Sequence, residues 1–136
     1  MATTQAREAF IADWHAAIVS QDIDALMALY AEDAVIESSA VLVLEKDSSG
    51  TLRGKEALRQ HFLSFFAIVG KSDGDWYRFS PQAVTDSLVM WEYPSRGPDG
   101  DQLDVVESFD LDDDGFITRH RVYWGFRGFQ LLQAQI

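Results

Sequence analysis

The feature that most constrains the fold is a change of hydrophobic period close to residue 70. Before it, apolar residues recur every three or four positions, as they do along one face of an amphipathic helix. This spacing predicts helices over residues 3–21, 22–33 and 54–70. Asp22 is suited to cap the second helix, and Tyr30 is expected on its inner face.

After the change, β-branched and aromatic residues alternate with polar ones, which is the pattern of half-buried strands. Strands are predicted there at residues 75–80, 83–93, 102–111 and 116–126, and two shorter strands are predicted before the change, at 34–38 and 41–45. Helices that come first and an antiparallel meander that follows are typical of the α+β class. A chain of 136 residues holds one core, so we expect a single domain over residues 1–136.

Composition limits the partners and the compartment. The formal net charge of −11 disfavours nucleic acid and an anionic membrane surface, which both need clustered Lys and Arg. The absence of cysteine excludes disulfides, thiolate metal ligands and a cysteine nucleophile. We see no apolar signal core and no run of about 20 apolar residues, so a soluble cytoplasmic protein is expected.

A calcium-like spacing occurs in DLDDDGFITRHR, at residues 110–121. Asp110, Asp112 and Asp114 match the first positions of an EF-hand loop. The twelfth position, where calcium needs a bidentate glutamate, is Arg121, and the flanking segments are predicted strands. The stretch is therefore interpreted as a hairpin loop, and no metal site is predicted.

The hairpin fixes which residues share a face. With a four-residue loop at 112–115, paired positions place Glu107 opposite His120. Directly opposed side chains lie about 4.5–5.5 Å apart at Cβ, which allows a carboxylate–imidazole hydrogen bond. Both residues interrupt otherwise apolar faces, and an unpaired buried charge is unfavourable. Two interpretations stay open: a structural ion pair that fixes register, and a catalytic pair in a pocket.

The pocket interpretation assigns a role to each candidate residue. His120 would transfer a proton and Glu107 would orient the imidazole and raise its basicity. The candidate substrate-binding residues share the predicted inner side; they are Trp14, Tyr30, Trp91, Val122 and Trp124. We find no P-loop, zinc-binding or serine-hydrolase motif, so no cofactor is predicted. The other histidines, His15 and His61, are expected at helix edges.

The outer face of the sheet is also rich in apolar residues, namely Leu88, Met90, Val106, Ile117 and Tyr123. This pattern predicts a homodimer through the outer sheet face, although a covering helix would explain it equally.

The order of the elements resembles the nuclear transport factor 2-like superfamily, which includes ketosteroid isomerases, limonene-epoxide hydrolases and SnoaL-like polyketide cyclases. The segments that carry the resemblance are WHAAIVSQDIDALMALYAEDAVIES, LRGKEALRQHF and ESFDLDDDGFITRHRVYWG. The resemblance implies a cone-shaped α+β barrel, in which N-terminal helices pack in the concave face of a curved, mixed, mostly antiparallel sheet.

The catalytic pattern of the superfamily is matched only in part. Trp14 stands where the isomerases have a tyrosine donor, and Ser38 where they have the general-base aspartate. Glu107 matches their second acid, and Val122 stands at the second aspartate of the epoxide hydrolases, whose Arg-x-Asp is also absent. The resemblance thus implies a SnoaL-like protein with its own polar pair rather than a steroid isomerase of the usual kind.

We therefore expect general acid–base chemistry of the isomerase, cyclase or hydrolase type on a small apolar molecule. The alternative is a non-catalytic ligand-binding or dimerisation module of the same fold.

Overall fold

A computed structural model describes residues 4–46, 49–69, 82–93 and 104–136. The helices are α1 (Thr4–Ser20), α2 (Ile23–Met27), α3 (Ser39–Leu44), α4 (Lys55–Val69) and α5 (Phe126–Ala134). The strands are β1 (Tyr30–Ser38), β2 (Thr51–Arg53), β3 (Ala83–Val84), β4 (Leu88–Tyr93), β5 (Val105–Leu111) and β6 (Ile117–Trp124). The strand predicted at 75–80 lies outside the described residues.

The strands form one sheet in the order β2-β1-β6-β5-β4-β3. β1 runs parallel to β6, and the other neighbours are antiparallel. The predicted α+β class and the mixed, mostly antiparallel sheet are confirmed. Closure into a barrel is wrong, because the short strands β2 and β3 lie at opposite edges of the sheet.

The second helix is shorter than predicted, and Tyr30 belongs to a strand. The Asp22 side chain caps α2 as expected, but the helix ends at Met27. Two residues later the Leu29 carbonyl accepts a hydrogen bond from Ile117 N at 2.8 Å, and β1 then runs beside β6. Pairing with a distant strand thus overrides the local helical spacing.

Residues 41–45 were predicted as a strand, and the structure has helix α3 there instead. The Ser38 side chain accepts from Ala40 N at 3.1 Å and so begins the helix. Ala40 and Val41 of this helix are buried, and their burial compensates for the low helix propensity of its β-branched residues. β2, which follows, was not predicted; Ser38 N bonds to Gly50 O just before it.

The β5–β6 hairpin has a different register from the predicted one. Glu107 pairs with Val122, and Phe109 pairs with His120, so direct opposition of Glu107 and His120 is wrong. The loop extends through residue 116, and the register shifts once more before Arg119. Because the two changes add two residues in total, His120 keeps its predicted face.

The same shift exchanges two neighbours between the faces of the sheet. Ile117 was expected on the outer face and is fully buried in the core. Phe116 was expected inside and is 44% exposed. Between β4 and β5 the alternation also predicted a register, with Val89 opposite Glu107 and Trp91 opposite Val105; in the structure Trp91 pairs with Glu107 instead. Val89 and Trp91 are nevertheless buried on the inner side as predicted.

The calcium-like stretch is a hairpin turn. Asp112 Oδ1 accepts from Asp114 N at 3.0 Å and from Phe116 N at 2.9 Å, and Gly115 adopts a positive φ of 88°. Asp110, the first carboxylate of the spacing, forms two hydrogen bonds with Arg121, the last position. A guanidinium therefore neutralises the carboxylate that calcium would need. Across the described ranges, no group of three or more His, Asp or Glu residues could hold a metal ion.

The chain end differs from the predicted strand at 116–126. β6 stops at Trp124, and α5 begins with Phe126, whose side chain is 79% exposed. Leu132 anchors this helix in the core, and the helix packs against α3. No helix in the described part of the chain is long and apolar enough to cross a membrane.

Candidate functional site

Three polar side chains meet in the middle of the core. His120 on β6 is 1% exposed, and its Nδ1 lies 2.8 Å from the Tyr30 hydroxyl. On its other side, Nε2 is hydrogen-bonded to Oε2 of Glu107. Tyr30 and Glu107 are buried as well. The interior thus holds a continuous hydrogen-bonded chain from a phenol through an imidazole to a carboxylate.

Three adjacent strands position this chain. Tyr30 begins β1, His120 lies in β6 and Glu107 lies in β5. Glu107 is paired directly with Val122, so His120, two residues away on β6, is its diagonal neighbour. Diagonal neighbours are about 7–8 Å apart, a distance that long side chains can bridge. The hydrogen bond predicted between the two residues is therefore present, although the register that predicted it is not.

The protonation states of the three groups set the direction of the hydrogen bonds. Burial, and then the negative charge of Glu107, raise the pKa of Tyr30 well above its ordinary value. The phenol therefore keeps its proton, and it donates to Nδ1 when His120 is a neutral imidazole. A neutral imidazole has one donor and one acceptor, so Nε2–H donates to the carboxylate. Glu107 thus holds His120 in one tautomer.

Aromatic rings enclose the imidazole. Phe109 stacks on it with a centroid distance of 4.2 Å, and Trp14 meets it edge to face at 5.1 Å. Phe62 lies nearly parallel to it at 6.3 Å. Such a cage excludes water, and within it charges and hydrogen bonds are stronger than at the surface.

A second polar point lies farther along the same side of the sheet. Ser38 is buried, and Oγ accepts from Trp124 Nε1 at 3.3 Å as well as from the backbone of α3. Ser38 pairs with Val122, two residues beyond His120, so about 7 Å of strand separates the two points. Val122 and Trp124 are only half-buried, unlike the aromatic cage.

The structure brings the predicted candidate residues to one side of the sheet. Trp14 contacts His120, and Trp91 is buried opposite Glu107 with its ring 5.0 Å from Phe109. Val122 and Trp124 lie toward α3 rather than in the aromatic cage. The roles assigned to these residues stay predictions.

Sequence reasoning missed part of the site. The bond from Tyr30 to His120 was not foreseen, because Tyr30 was assigned to a helix. Phe109 could have been found, since it alternates with Glu107 on β5. Phe62 was expected only as part of the helical stripe of α4.

The remaining histidines differ from each other. His15 is half-buried, and burial lowers its pKa from 6.5 to about 4. His61 was expected at a helix edge, but its side chain is 3% exposed. It lies against α3, where its Nδ1 is 3.3 Å from Glu45 Oε1.

Comparisons with known proteins agree with this architecture. A family model for the SnoaL-like domain matches residues 11–120. No curated protein matches the chain in sequence.

Several solved structures share the fold. A SnoaL-like protein of unknown function from Burkholderia thailandensis has a TM-score of 0.74 at 18% identity, over 90% of this chain and 97% of that one. A steroid delta-isomerase from Pseudomonas aeruginosa has a TM-score of 0.71 at 23% identity, over 98% and 89%. The epoxide hydrolase/cyclase-like enzyme SalBIII, of pyran ring formation in polyether salinomycin, has a TM-score of 0.66 at 22% identity, over 94% and 97%. At these identities the likeness shows the fold alone.

Proposed function

The chain belongs to the SnoaL-like domain family, and we propose that it is an acid–base catalyst acting on a small, largely apolar molecule. The observation that carries the proposal is the hydrogen-bonded chain of Tyr30, His120 and Glu107 inside an aromatic cage. Burial of a carboxylate carries a desolvation penalty that an apolar side chain in the same volume would avoid.

The hydrogen-bonded series Tyr30–His120–Glu107 is suited to proton transfer. His120 accepts a proton at Nδ1 through the Tyr30 hydroxyl, which takes a proton from the substrate as it passes its own to the imidazole. The Glu107 carboxylate at Nε2 then stabilises the imidazolium. The phenol of Tyr30, kept protonated by its raised pKa, can then donate to an oxygen on which negative charge develops. General acid–base catalysis of this kind contributes about 10²–10⁴-fold to a rate. Isomerisation, ring closure and loss of water are reactions that need only such steps.

The substrate would approach from the side of α3. Val122, Trp124 and Phe65 are half-buried there, whereas His120 and its cage are closed. Trp124 packs edge to face on Phe65 with a centroid distance of 6.2 Å, and separation of these two rings would open a path toward Val122. A small apolar molecule fits such a path better than a charged one.

We expect turnover on at least one of three apolar substrate classes: β,γ-unsaturated ketones, β-hydroxy ketones and hydroxy-epoxides. Glu107→Gln, which keeps the shape of the side chain and removes its charge, should lower kcat by about 10²-fold or more. Product formation by chromatography and folding by circular dichroism are the measurements. Asp114→Asn, in the exposed hairpin loop, should leave the rate unchanged.

The outcomes separate the open interpretations. Binding of these compounds without product in the wild-type protein would indicate a ligand-binding module. If the wild-type protein shows neither binding nor product, Glu107 and His120 are a structural pair and the proposal is wrong.

We also propose that two copies of the chain associate through the outer sheet face. Tyr123 is 54% exposed on this face, beside half-buried Met90 and Val106. Sedimentation equilibrium should give twice the chain mass, and Tyr123→Lys should shift the protein toward the monomer. A monomer at every concentration of the wild-type protein would contradict the association.

A further inference from the structure

A second buried histidine lies close to the site and takes no part in the hydrogen bonds among Tyr30, His120 and Glu107. His61 is on α4 and is 3% exposed, although the rest of the inner face of this helix is apolar. Its Nδ1 is 3.3 Å from Oε1 of Glu45, the C-cap residue of α3. The Glu45 side chain is 26% exposed, so the pair connects the interior with water.

His61 and His120 flank the same aromatic ring. The Phe62 centroid is 5.6 Å from that of His61 and 6.3 Å from that of His120. The two imidazoles are therefore separated by no more than the sum of these distances, which a molecule of two or three fused rings can span. One turn along α4, Phe65 packs on Trp124, so His61 lies on the side from which we expect the substrate to enter.

The state of His61 suits a base. Burial lowers its pKa, Glu45 opposes that shift, and His120 adds to it. Among the described residues, these two are the ionisable groups that act on His61, one at the end of α3 and one on β6. The imidazole is accordingly neutral at neutral pH. Nδ1–H can donate to the carboxylate, which leaves Nε2 as the acceptor atom. Within the described residues, Glu45 is the hydrogen-bond partner that the structure gives His61.

We propose that His61, held by Glu45, is a second proton-transfer residue of the site, and that the substrate is an apolar molecule that exchanges protons at two separate positions. The inference rests on the proposed function. His61 Nε2 removes a proton from carbon or oxygen at one position, and the freed electron pair moves through the substrate. On the other side, the second position takes a proton from the Tyr30–His120 pair, or its oxygen takes that proton and leaves as water. The proton on His61 then returns to water past Glu45, and a proton from water restores the Tyr30–His120 pair, so protons balance and no oxidant or reductant is consumed.

The test uses 2-naphthol, an apolar two-ring molecule with one acidic hydroxyl, as the probe. Proton NMR follows the imidazole resonances of the wild-type protein during a pH titration, with and without the probe. We expect a His61 pKa below 6.5, and a shift of both the His61 and the His120 resonances when the probe binds. Protonation of His61 removes its acceptor atom, so the affinity for 2-naphthol should fall as the pH drops through that pKa.

Variants separate a proton-transfer role from a structural one. Glu45→Gln should lower the pKa of His61 further, because it removes the charge that stabilises the imidazolium. His61→Gln should bind 2-naphthol at least tenfold more weakly at pH 8 and lose the pH dependence. Glu56→Gln, an exposed carboxylate of the same helix, is the control and should change neither.

The results distinguish this inference from the proposed function. If 2-naphthol binds and shifts His120 while His61 and the pH dependence of affinity stay unchanged, His61 is structural and this inference alone is wrong. If the wild-type protein does not bind the probe and turns over none of the substrate classes, both proposals are overturned.

Discussion

Replacing His120 by leucine is expected to lower the free energy of unfolding by about 3–5 kcal/mol, one of the largest effects of any single substitution in this chain. The variant leaves the Glu107 carboxylate in the core without its imidazole, and it removes the acceptor of the Tyr30 hydroxyl. Urea denaturation measures the change, provided that the slope with denaturant stays constant.

The double variant His120→Leu with Glu107→Leu is the critical control. Because both ends of the buried pair are replaced by apolar groups, it should be more stable than His120→Leu alone. A coupling energy above about 1 kcal/mol is expected for residues in contact. Additive single effects would contradict a direct interaction between the two side chains.

Trp14→Ala should be similarly disruptive, with a loss of about 3–5 kcal/mol. Trp14 is 2% exposed, and its ring contacts Phe109 at a centroid distance of 4.7 Å, His120 at 5.1 Å, and Tyr30 and Phe62 at 6.2 Å. Truncation would leave a cavity beside the imidazole, because neighbouring strands can relax only in part. Thermal and urea unfolding measure the loss.

Trp124→Ala provides a matched comparison. Its indole is only half-buried; among the described residues it packs on Phe65 and donates a hydrogen bond to Ser38, so its loss should be clearly smaller. Free indole should raise the melting temperature of Trp14→Ala more than that of the wild-type protein, because it refills the cavity. Equal losses in the two variants would mean that Trp14 does not organise the core.

The sequence predicted the elements that have a strong and long periodicity. α4 was found because four turns of apolar spacing leave little ambiguity, and α1 because its few core residues, Phe10, Trp14, Ala17 and Ile18, fall on one helical face. The neighbours of β5 followed from the order of the strands in a meander. The inward direction of Glu107 and His120 was predicted from alternation. Alternation identifies a face but not a register, so an offset of two residues escaped detection.

The errors have a common physical origin in distant contacts. Residues 41–45 carry strand-forming side chains, yet a cap from Ser38 and burial against neighbouring elements make them helical. Tyr30 lies within an apparently helical pattern, yet the chain there pairs with β6, which is remote in sequence. The Tyr30–His120 bond and the position of His61 beside Glu45 depend on these contacts, so local spacing could not predict them.

The hydrogen bonds that join Tyr30, His120 and Glu107 in the core also have consequences for how the protein folds. Glu107 and His120 are 13 positions apart and meet within one hairpin, whereas Tyr30 and His120 are 90 positions apart. Closing a long loop has a larger entropic penalty than closing a hairpin, and non-local pairing slows folding. The carboxylate and the imidazole can therefore meet early, while the phenol arrives only when β1 docks beside β6. A partly folded form that lacks this parallel pairing therefore lacks the Tyr30–His120 hydrogen bond, and the site is complete only once β1 has paired with β6.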